Sequence, residues 1–472
     1  MDARSLNFIA TACAGQLVGG SPETRVHRVC TDSRQVRTGD LFFALPGDRF
    51  DGHKFAGEAA KNGAAAIVGE RRRLPSSPTD CASIWGGCAV VLVDDARKAL
   101  GQLATEHRKD FELPMAAVGG SNGKTTTKEL VASVLRQKLA TLCSEASFNN
   151  DIGVPLTLLR LEKSHQAAVL EVGTNHPGEL APLVNMIRPR YGIITCIGRE
   201  HLEFFGDVAG VAREEGALAE LLPADGKLFV NGDDEWTGRL AERARAAVVR
   251  VGLSEGNDWR AGGLRPSRNG VRFQVTGPKP EFAGEYRIQL LGRHQVINAL
   301  FAIALGAELG LDRAEIARGL AECKALKMRL ELWELGGVHV LDDAYNANAD
   351  SVRVALRTLA DLPCQGRRVA VLGDMAELGA HSEAAHEEIG RCAAQMGVGQ
   401  LFAVGKMAPV VARGARDAGL NRVFEFAEVE TAAGAVKSFI KKGDVLLLKA
   451  SRATRMERLA GILRGAAAMR KN

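Results

Sequence analysis

The chain has 472 residues, 46% of them hydrophobic and 25% charged, with 61 Lys and Arg against 56 Asp and Glu. At about 150 residues per domain this length predicts roughly three domains, and the composition excludes a disordered or fibrous chain. The formal net charge of +5 is small for this length. It argues against a dedicated nucleic-acid-binding protein, although it suits an anionic small substrate.

Cysteine usage and hydropathy indicate the compartment. Nine cysteines are scattered without a Cys-x-x-Cys pair, which predicts reduced thiols in a cytoplasmic protein. No apolar run approaches the roughly 18 residues that span a bilayer, so we expect no stable membrane association. Polar residues interrupt the first 20 positions, which we interpret as a packed helix and not as a signal peptide.

The element pattern predicts an α/β protein of three domains. Residues 1–110 alternate helical segments with short strands, predicted at 40–45, 64–68 and 89–93. Residues 111–325 show near-continuous apolar runs with crossover helices, typical of a parallel sheet, with strands predicted at 115–119, 167–172, 191–197 and 227–231. Within this second part we expect a small inserted sheet over 254–291, followed by a helix at 294–309. Residues 326–472 begin with a strand-like stretch at 331–343 and resume the βα pattern, with strands predicted at 368–372, 400–404, 423–426 and 444–449.

A glycine-rich loop follows the predicted strand 115–119 and opens a helix predicted at 126–139. Its residues are Gly120, Ser121, Asn122, Gly123, Lys124, Thr125 and Thr126. Glycines let backbone N–H groups turn inward around phosphate oxygens, and the helix N-terminus favours the negative charge. Lys124 would face the β- and γ-phosphates and the Thr125 hydroxyl would bind Mg²⁺. Val118 stands where the longer phosphate-loop pattern has Gly, so the match is to the shorter G-x-x-G-K-T form.

Two further groups follow strands that are predicted after the phosphate loop. Glu171 closes the run 167–170, and His201 follows the run 193–198. Ligands of open parallel sheets bind beyond the carboxyl ends of the strands, which places both side chains at the edge that carries Lys124. Carboxylate oxygen suits Mg²⁺, whereas imidazole is a less usual ligand, so His201 is either a direct ligand or a group behind one.

A polar turn follows the strand-like residues 338–341. Asp342, Asp343, Asn346 and Asn348 crowd into it. These side chains suit ribose hydroxyls or a peptide-like substrate. The alternative is a plain turn before a helix that Asp350 or Ser351 caps, and composition alone favours that alternative.

Taken together, the motifs resemble those of the Mur ligases of peptidoglycan synthesis over about residues 31–458. The resemblance rests on the segments at 31–34, 40–45, 51–53, 120–127, 148–155, 171–179, 201–203, 342–348, 372–379 and 449–452. The phosphate loop is common to all Mur ligases and to the folylpolyglutamate synthetases. The segments 345–348 and 373–379 are similar to those of the branch that adds D-alanyl-D-alanine.

The resemblance implies a UDP-substrate domain, a central ATPase domain and a Rossmann-like C-terminal domain. It implies that ATP and Mg²⁺ are used to join D-alanyl-D-alanine to UDP-N-acetylmuramoyl-tripeptide through an acyl phosphate, by a protein expected to be a monomer. The catalytic residues implied are Lys124, His201 and Arg329. Nucleotide contacts are implied for the loop 120–126, Asn298, Arg329 and Asp343. Substrate contacts are implied for Ser33, Arg34, Asn149, Asn150, Tyr345, Asn346 and Asn348, and Mg²⁺ contacts for Thr125, Glu171, His201 and Glu215.

Three positions depart from the family pattern. Gln295 stands in place of an Asn that contacts adenine, and Ala349 in place of a Pro in the turn. Glu215 aligns with a lysine that relatives carbamylate to help bind a second Mg²⁺. Because a carbamate is a carboxylate on a longer arm, we hypothesise that Glu215 replaces the carbamylated lysine. The alternative is that Glu215 is an ordinary surface charge.

Other functions remain open at this point. Within enzymes, the alternatives are another Mur ligase or a folylpolyglutamate synthetase. A phosphate-loop ATPase acting as a switch would explain residues 120–125, but it leaves 31–34 and 342–348 without a role. A nucleic-acid translocase is disfavoured because no basic stripe accompanies the loop.

Overall fold

The structure is a computed structural model that describes residues 1–47, 50–74 and 87–469. In the N-terminal part of these residues, one sheet has the strand order Gln16–Val18, Ala89–Val93, Ala66–Glu70, Leu41–Phe43 and Val29–Cys30. Gln16–Val18 is antiparallel to its neighbour and the others are parallel. A two-stranded ribbon pairs Arg4–Ser5 with Arg25–Val26. The helices are Leu6–Ala12, Ala56–Lys61 and Ala96–Arg108, with 3₁₀ turns at Ser33–Gln35 and Gly52–Phe55.

The central sheet holds the strands that matter most for the site. Its order across the described residues is Gly284–Ile288, Gly270–Thr276, Trp259–Ser267, Ala247–Gly252, Lys227–Asn231, Tyr191–Ile194, Met115–Gly119, Ala167–Glu171 and Thr141–Cys143. The strands from Ala247–Gly252 to Thr141–Cys143 are all parallel. The strand before the glycine-rich loop therefore lies between the strands that lead to Glu171 and to His201. Both residues lie at the sheet edge that carries Lys124, as the sequence predicted.

Helices cover both faces of this sheet, which explains why its strands are apolar throughout. The helices are Lys124–Leu135, Gly153–Leu158, Leu180–Ile187, Leu202–Phe205, Val208–Glu215, Ala217–Leu221, Thr237–Arg243, Gln295–Glu308 and Arg313–Glu322, with a 3₁₀ turn at Pro280–Phe282. The longest, Gln295–Glu308, is buried along most of its length against Lys124–Leu135 and the sheet.

The C-terminal sheet has the order Glu331–Leu335, Val338–Asp343, Val445–Lys449, Arg368–Gly373, Gln400–Val404 and Val423–Phe426 within the resolved ranges given above. Only Glu331–Leu335 is antiparallel to its neighbour among these strands. The helices are Ala349–Asp361, Ser382–Gln395, Ala408–Asp417, Val429–Phe439 and Glu457–Met469, with 3₁₀ turns at Gly379–His381 and Arg452–Thr454. Separate apolar clusters fill the two faces of the sheet.

Two sequence expectations are corrected. The residues after 254 do not form a separate small sheet, because Val251 and Gly252 pair in parallel with Trp259 and Arg260 and so extend the central sheet, which then continues antiparallel. The first 20 residues contain a helix of only seven residues, Leu6–Ala12, before the chain turns into a strand. None of the helices in the described ranges has both the length and the apolarity to cross a bilayer.

Candidate active site

The glycine-rich loop joins Met115–Gly119 to the helix Lys124–Leu135. Gly120 and Gly123 have φ of +106° and +88°, which residues with a side chain rarely adopt. A Cβ at Gly120 would also lie 2.4 Å from Thr195 Oγ1. The Ser121 N–H donates to Cys196 O at 2.8 Å, which fastens the loop to the neighbouring strand. The loop therefore has the shape and the helix N-terminus that phosphate binding requires.

Lys124 folds back over this loop. Its ammonium donates to the carbonyl of Gly120 and, at 3.3 Å, to that of Ser121, and it lies 3.3 Å from Glu200 Oε2. Burial alone would lower the pKa of Lys124, but the carboxylates of Glu200, Glu215 and Glu171 together raise it above its ordinary value. The neighbouring carboxylates therefore keep the lysine charged.

Two buried carboxylates flank the loop. Glu171 is 1% exposed, and its Oε1 accepts a hydrogen bond from Asn149 Nδ2 at 2.9 Å. Glu215 is 0% exposed, its Oε2 accepts from the Gly120 N–H at 2.7 Å, and burial raises its pKa to about 7. In the described part of the chain no donor reaches the other oxygen of either residue, Glu171 Oε2 or Glu215 Oε1. An unsatisfied buried carboxylate oxygen is costly, and a cation is the group that would relieve it.

The donor chemistry at the loop fits Mg²⁺. Carboxylate oxygens of Glu171 and Glu215 and the buried hydroxyl of Thr125 are hard ligands. Over the described ranges, however, no three His, Cys, Asp or Glu side chains converge into one metal centre. Glu171, His201 and Glu215 therefore do not form a single cage, which suits an ion that takes one or two carboxylates together with phosphate oxygens.

His201 connects the central and C-terminal parts of the chain. It adopts a left-handed φ of +48°, and its Nδ1 pairs with the carboxylate of Glu377. That contact holds the pKa of Glu377 below its ordinary value. The Glu203 N–H donates to Glu377 O at 3.1 Å beside it. The conformation and the contact with Glu377 place the imidazole at the boundary between the two sheets.

The C-terminal sheet contributes a buried ion pair. Asp343 and Lys449 are register partners at the ends of adjacent parallel strands, and Lys449 Nζ lies 2.6 Å from Asp343 Oδ2. Lys449 also donates to Asn346 O at 2.8 Å, and Asp343 Oδ1 accepts from the Leu330 N–H at 3.1 Å. Burial raises the pKa of Asp343. The pair fixes the polar turn that follows Asp343.

Arg329 and Tyr345 stack at this turn. The Arg329 guanidinium lies 4.1 Å from the centre of the Tyr345 ring. Both side chains donate to the Ser147 hydroxyl of the central part of the chain, at 3.2 Å and 2.9 Å. Arg329 forms no ion pair with a carboxylate among the described residues, and it lines the cavity.

Two amides lie close to the loop. Asn298 is buried against Gly123, where a Cβ would lie 3.0 Å from Asn298 Oδ1, and Asn298 Nδ2 donates to Gln295 Oε1 at 2.8 Å. The departure at Gln295 thus supplies a partner that orients Asn298. Asn348 Nδ2 donates to Asn122 Oδ1 at 3.1 Å, which links the C-terminal turn to the loop.

The helix Ala349–Asp361 is capped by neither Asp350 nor Ser351, the two residues expected from the sequence. Asn348 caps it, and Ser351 is its reciprocal partner three residues later. Asp350 instead binds Arg199, a residue to which the sequence analysis assigned no role. Arg199 makes hydrogen bonds of 2.6–3.2 Å with the carboxylates of Asp350 and Glu388. This cluster joins the central sheet to two helices of the C-terminal sheet.

These elements enclose a cavity of about 670 Å³. The predicted residues that line it are Ser121, Asn122, Gly123, Lys124, Thr125, Thr126, Asn149, Asn150, Glu171, His201, Asn298, Arg329, Asp343, Tyr345, Asn346 and Asn348. Gly120 begins the loop, and Glu215 lies behind the loop, where its carboxylate accepts a hydrogen bond from the Gly120 N–H. Ser147, Glu200 and Arg199 also line the cavity and were missed. Their only sequence signal was position, since Arg199 and Glu200 immediately precede His201 and Ser147 immediately precedes the motif 148–155.

The structure does not bring Ser33 and Arg34 to this cavity. The buried Ser33 hydroxyl donates to Glu58 Oε2 at 2.6 Å. Arg34 is exposed and pairs with Asp32 at 2.8 Å. Both lie on a 3₁₀ turn beside the N-terminal sheet, so any contact of theirs with a ligand is made at a distance from the phosphate loop.

Comparison with known proteins identifies the class. Three family models match in chain order: the Mur ligase family catalytic domain at residues 25–108, the Mur ligase middle domain at 118–306, and the Mur ligase glutamate ligase domain at 328–452. A relative from Bacillus subtilis (strain 168), named UDP-N-acetylmuramoyl-tripeptide–D-alanyl-D-alanine ligase, is 35% identical over 460 residues, covering 97% of each chain. The chain therefore belongs to the Mur ligase family.

Solved structures of MurF ligases superpose on nearly the whole chain. A crystal structure of MurF from Acinetobacter baumannii superposes with a TM-score of 0.88 at 31% identity, covering 98% of this chain and 99% of that one. MurF ligase from Thermotoga maritima, solved in complex with ADP, superposes with a TM-score of 0.80 at 27% identity, covering 94% and 99%. The three-part α/β architecture expected from the sequence is confirmed.

Proposed function

We propose that this protein is the ATP-dependent ligase that joins D-alanyl-D-alanine to UDP-N-acetylmuramoyl-tripeptide in the synthesis of peptidoglycan precursors. The observation that carries the proposal is one cavity that unites the phosphate loop with Arg329 and a polar turn from the C-terminal sheet. The names of relatives that match nearly the full chain supply the substrates. We place the reaction in the cytoplasm, where its product feeds the cell wall that gives shape and permits division.

The chemistry begins with a carboxylate, which is a poor electrophile. One oxygen of the tripeptide carboxylate attacks the γ-phosphorus of ATP, the bond to the bridging oxygen breaks, and ADP leaves an acyl phosphate behind. The D-alanyl-D-alanine amine then attacks the acyl carbon, the bond to phosphate breaks, and the nitrogen loses a proton. Catalysis of both steps is positioning and charge neutralisation.

Lys124 and Arg329 are the groups proposed to neutralise the transferring phosphate. Lys124 lies on the loop, and Arg329 faces the same cavity from the C-terminal side. Asn298 would contact adenine, and Asp343, held by Lys449, would contact the ribose. The backbone and side chains of residues 120–126 would hold the phosphates.

We propose that Asn149 and Asn150 face the muramoyl tripeptide near the reacting carboxylate, and that Tyr345, Asn346 and Asn348 face substrate from the C-terminal turn. Ser33 and Arg34 would hold the UDP group in the N-terminal domain. On this proposal, residues 1–110 form the domain that binds the UDP substrate and residues 111–325 form the domain that binds ATP. Residues 326–472 form the C-terminal Rossmann-like domain that closes over the nucleotide. We expect a monomer, because all three regions belong to one chain.

We propose that Thr125 and Glu171 would hold Mg²⁺. His201 would be a further contact, and Glu215 would contribute its charge from behind the loop. When bound, the ion would neutralise phosphate charge. The unpartnered oxygens of Glu171 and Glu215 are the support for this assignment.

Glu215 gives a testable departure from the family. If its carboxylate supplies the charge that a carbamylated lysine supplies in relatives, phosphate release by the wild-type protein should change less than about twofold when bicarbonate is added. Glu215→Lys should lower activity about 100-fold and restore a dependence on bicarbonate, because the lysine then needs carbon dioxide to carry a negative charge. Strong activation of the wild type by bicarbonate would contradict the proposal. Glu220→Gln, which breaks only a surface pair with Arg243, is the control.

An acceptor panel tests the substrate assignment. The purified protein is incubated with ATP, Mg²⁺ and UDP-N-acetylmuramoyl-tripeptide. The acceptors offered are D-alanyl-D-alanine and single amino acids, glutamate among them, and the products are identified by mass. We expect ligation of D-alanyl-D-alanine. Preferred ligation of a single amino acid would assign the protein to another Mur branch. Ligation of glutamate to a folate substrate in a parallel reaction would assign it to the folylpolyglutamate synthetases.

A further inference from the structure

Lys128 is a buried lysine to which the reaction scheme above gives no role. It lies one helical turn after Lys124 on Lys124–Leu135 and is 0% exposed. Lysine is almost never fully buried unless its charge is paired and its donors are satisfied. Its ammonium donates to Ser144 O and to Ala146 O, both at 2.7 Å, and lies 2.8 Å from Glu129 Oε1. Both carbonyl acceptors belong to one loop.

This loop, residues 144–150, is held in a conformation that its sequence does not favour. Ala146 has a φ of +44°, in the left-handed region that residues with a Cβ avoid. The carbonyls on either side of Glu145 both turn toward the Lys128 ammonium. At its start, the Ser144 N–H donates to Val169 O at 3.2 Å and the Ser144 hydroxyl accepts from the Glu171 N–H at 3.1 Å. Arg160 pairs with the exposed carboxylate of Glu145, and Arg329 binds the loop through the Ser147 hydroxyl. Lys128 differs from both because it is fully buried and binds the main chain of the loop.

The loop carries side chains to three parts of the cavity. Ser147 accepts hydrogen bonds from Arg329 and Tyr345 of the C-terminal part. Asn149 donates to Glu171 Oε1, and Asn150 Oδ1 accepts from the N–H of Gly153, the first residue of the next helix, at 2.9 Å. Ser147, Asn149 and Asn150 all line the cavity. A shift of this loop would move all of them while leaving the phosphate loop in place.

We propose that Lys128 is a positioning residue: its buried ammonium fixes the loop 144–150, and thereby the face of the cavity that receives the carboxylate substrate. The identity of that substrate rests on the proposed function, whereas the ordering of the loop does not. Lys128 acts through loop carbonyls, so its loss should weaken binding of the carboxylate substrate more than binding of nucleotide, which the loop 120–126 holds.

The test compares Lys128→Met with Arg108→Met. Arg108 is also buried, and its guanidinium also donates to main-chain carbonyls, those of Ile187, Phe111 and Arg188, all outside the loop. Both variants lose a buried cation, so a general loss of stability affects both. We expect amide hydrogen exchange over 145–150 to be at least about 10-fold faster in Lys128→Met than in the wild type and unchanged in Arg108→Met.

The kinetic readout is the KM of each substrate. For Lys128→Met we expect the KM for UDP-N-acetylmuramoyl-tripeptide to rise about 10-fold and the Kd for ADP to stay within about twofold. Equal exchange rates in the two variants, or a parallel rise of KM and of the ADP Kd, would overturn the inference. If Lys128→Met is not recovered folded, Lys128→Gln, which keeps a neutral donor on a shorter stem, should show the same pattern at smaller size.

The exchange result also separates this inference from the proposed function. A wild-type protein that does not use the tripeptide would contradict the proposed function and leave the exchange comparison valid. A wild-type protein that uses it, with loop exchange unaffected by Lys128→Met, would overturn the inference alone.

Discussion

Replacing Lys124 with methionine is expected to lower kcat by at least about 1,000-fold, because phosphoryl transfer depends on fixed positive charge around the transferring group. Methionine keeps most of the stem that packs in the cavity wall and removes only the ammonium. The variant also leaves Glu200 without its partner at 3.3 Å, so a modest loss of stability should accompany the loss of rate.

Phosphate release under saturating substrates measures this effect, with thermal unfolding recorded for each protein. Lys227→Met is the matched control, because Lys227 pairs with Glu308 on the surface of the same domain, away from the cavity. The control should keep wild-type activity. A folded Lys124→Met protein with more than a tenth of wild-type kcat would contradict the role of the phosphate loop.

Arg199→Met is expected to lower kcat by about 10- to 100-fold, equivalent to about 1.4–2.8 kcal/mol. Arg199 binds Asp350 and Glu388 through charge-assisted hydrogen bonds, and these contacts join the central sheet to the C-terminal helices. The pKa of Arg199 is raised chiefly by its hydrogen bond to Glu388, and the pKa values of both carboxyls are lowered. Without the guanidinium, the C-terminal part should spend less time docked on the central part. Arg329 and Asp343 would then be close to the phosphate loop in a smaller fraction of molecules.

The control for this prediction is Arg413, whose partners lie on the same helix as Glu388. Arg413 also bridges two carboxylates, those of Glu383 and Glu387, but both belong to the C-terminal part. Arg413→Met should leave kcat unchanged. Small-angle scattering with bound nucleotide should show a larger radius of gyration for Arg199→Met alone. Equal kcat in the two variants would contradict the role of this cluster in holding the domains together.

The central sheet could be predicted largely from sequence, because its functional residues come directly after its apolar strands in the chain. The apolar run at 115–119, its glycines and Lys124 define a local unit, and the sheet order then places Glu171 beside it. The register of Asp343 with Lys449 could not be predicted, because it joins strands about 100 residues apart through the topology of the C-terminal sheet.

Contacts between domains were missed for the same reason. Arg199 carries no motif, and only the docking of Ala349–Asp361 and Ser382–Gln395 shows that it pairs with Asp350 and Glu388. The strands after residue 254 were expected to form a small inserted sheet, because their alternating pattern is visible in the local sequence. Their pairing with the strand Ala247–Gly252 is a tertiary contact that the local sequence does not show. Ser147 carries no motif and acquires its contacts only from the loop conformation.

The most direct test of the account is release of inorganic phosphate from ATP in the presence of UDP-N-acetylmuramoyl-tripeptide, measured with and without D-alanyl-D-alanine. The proposed ligase activity predicts slow phosphate release without the dipeptide and a large increase when the dipeptide is added. One amide should form per phosphate released. Full-rate release without an acceptor would indicate an ATPase switch. Release that D-alanyl-D-alanine does not stimulate would contradict the proposed ligase.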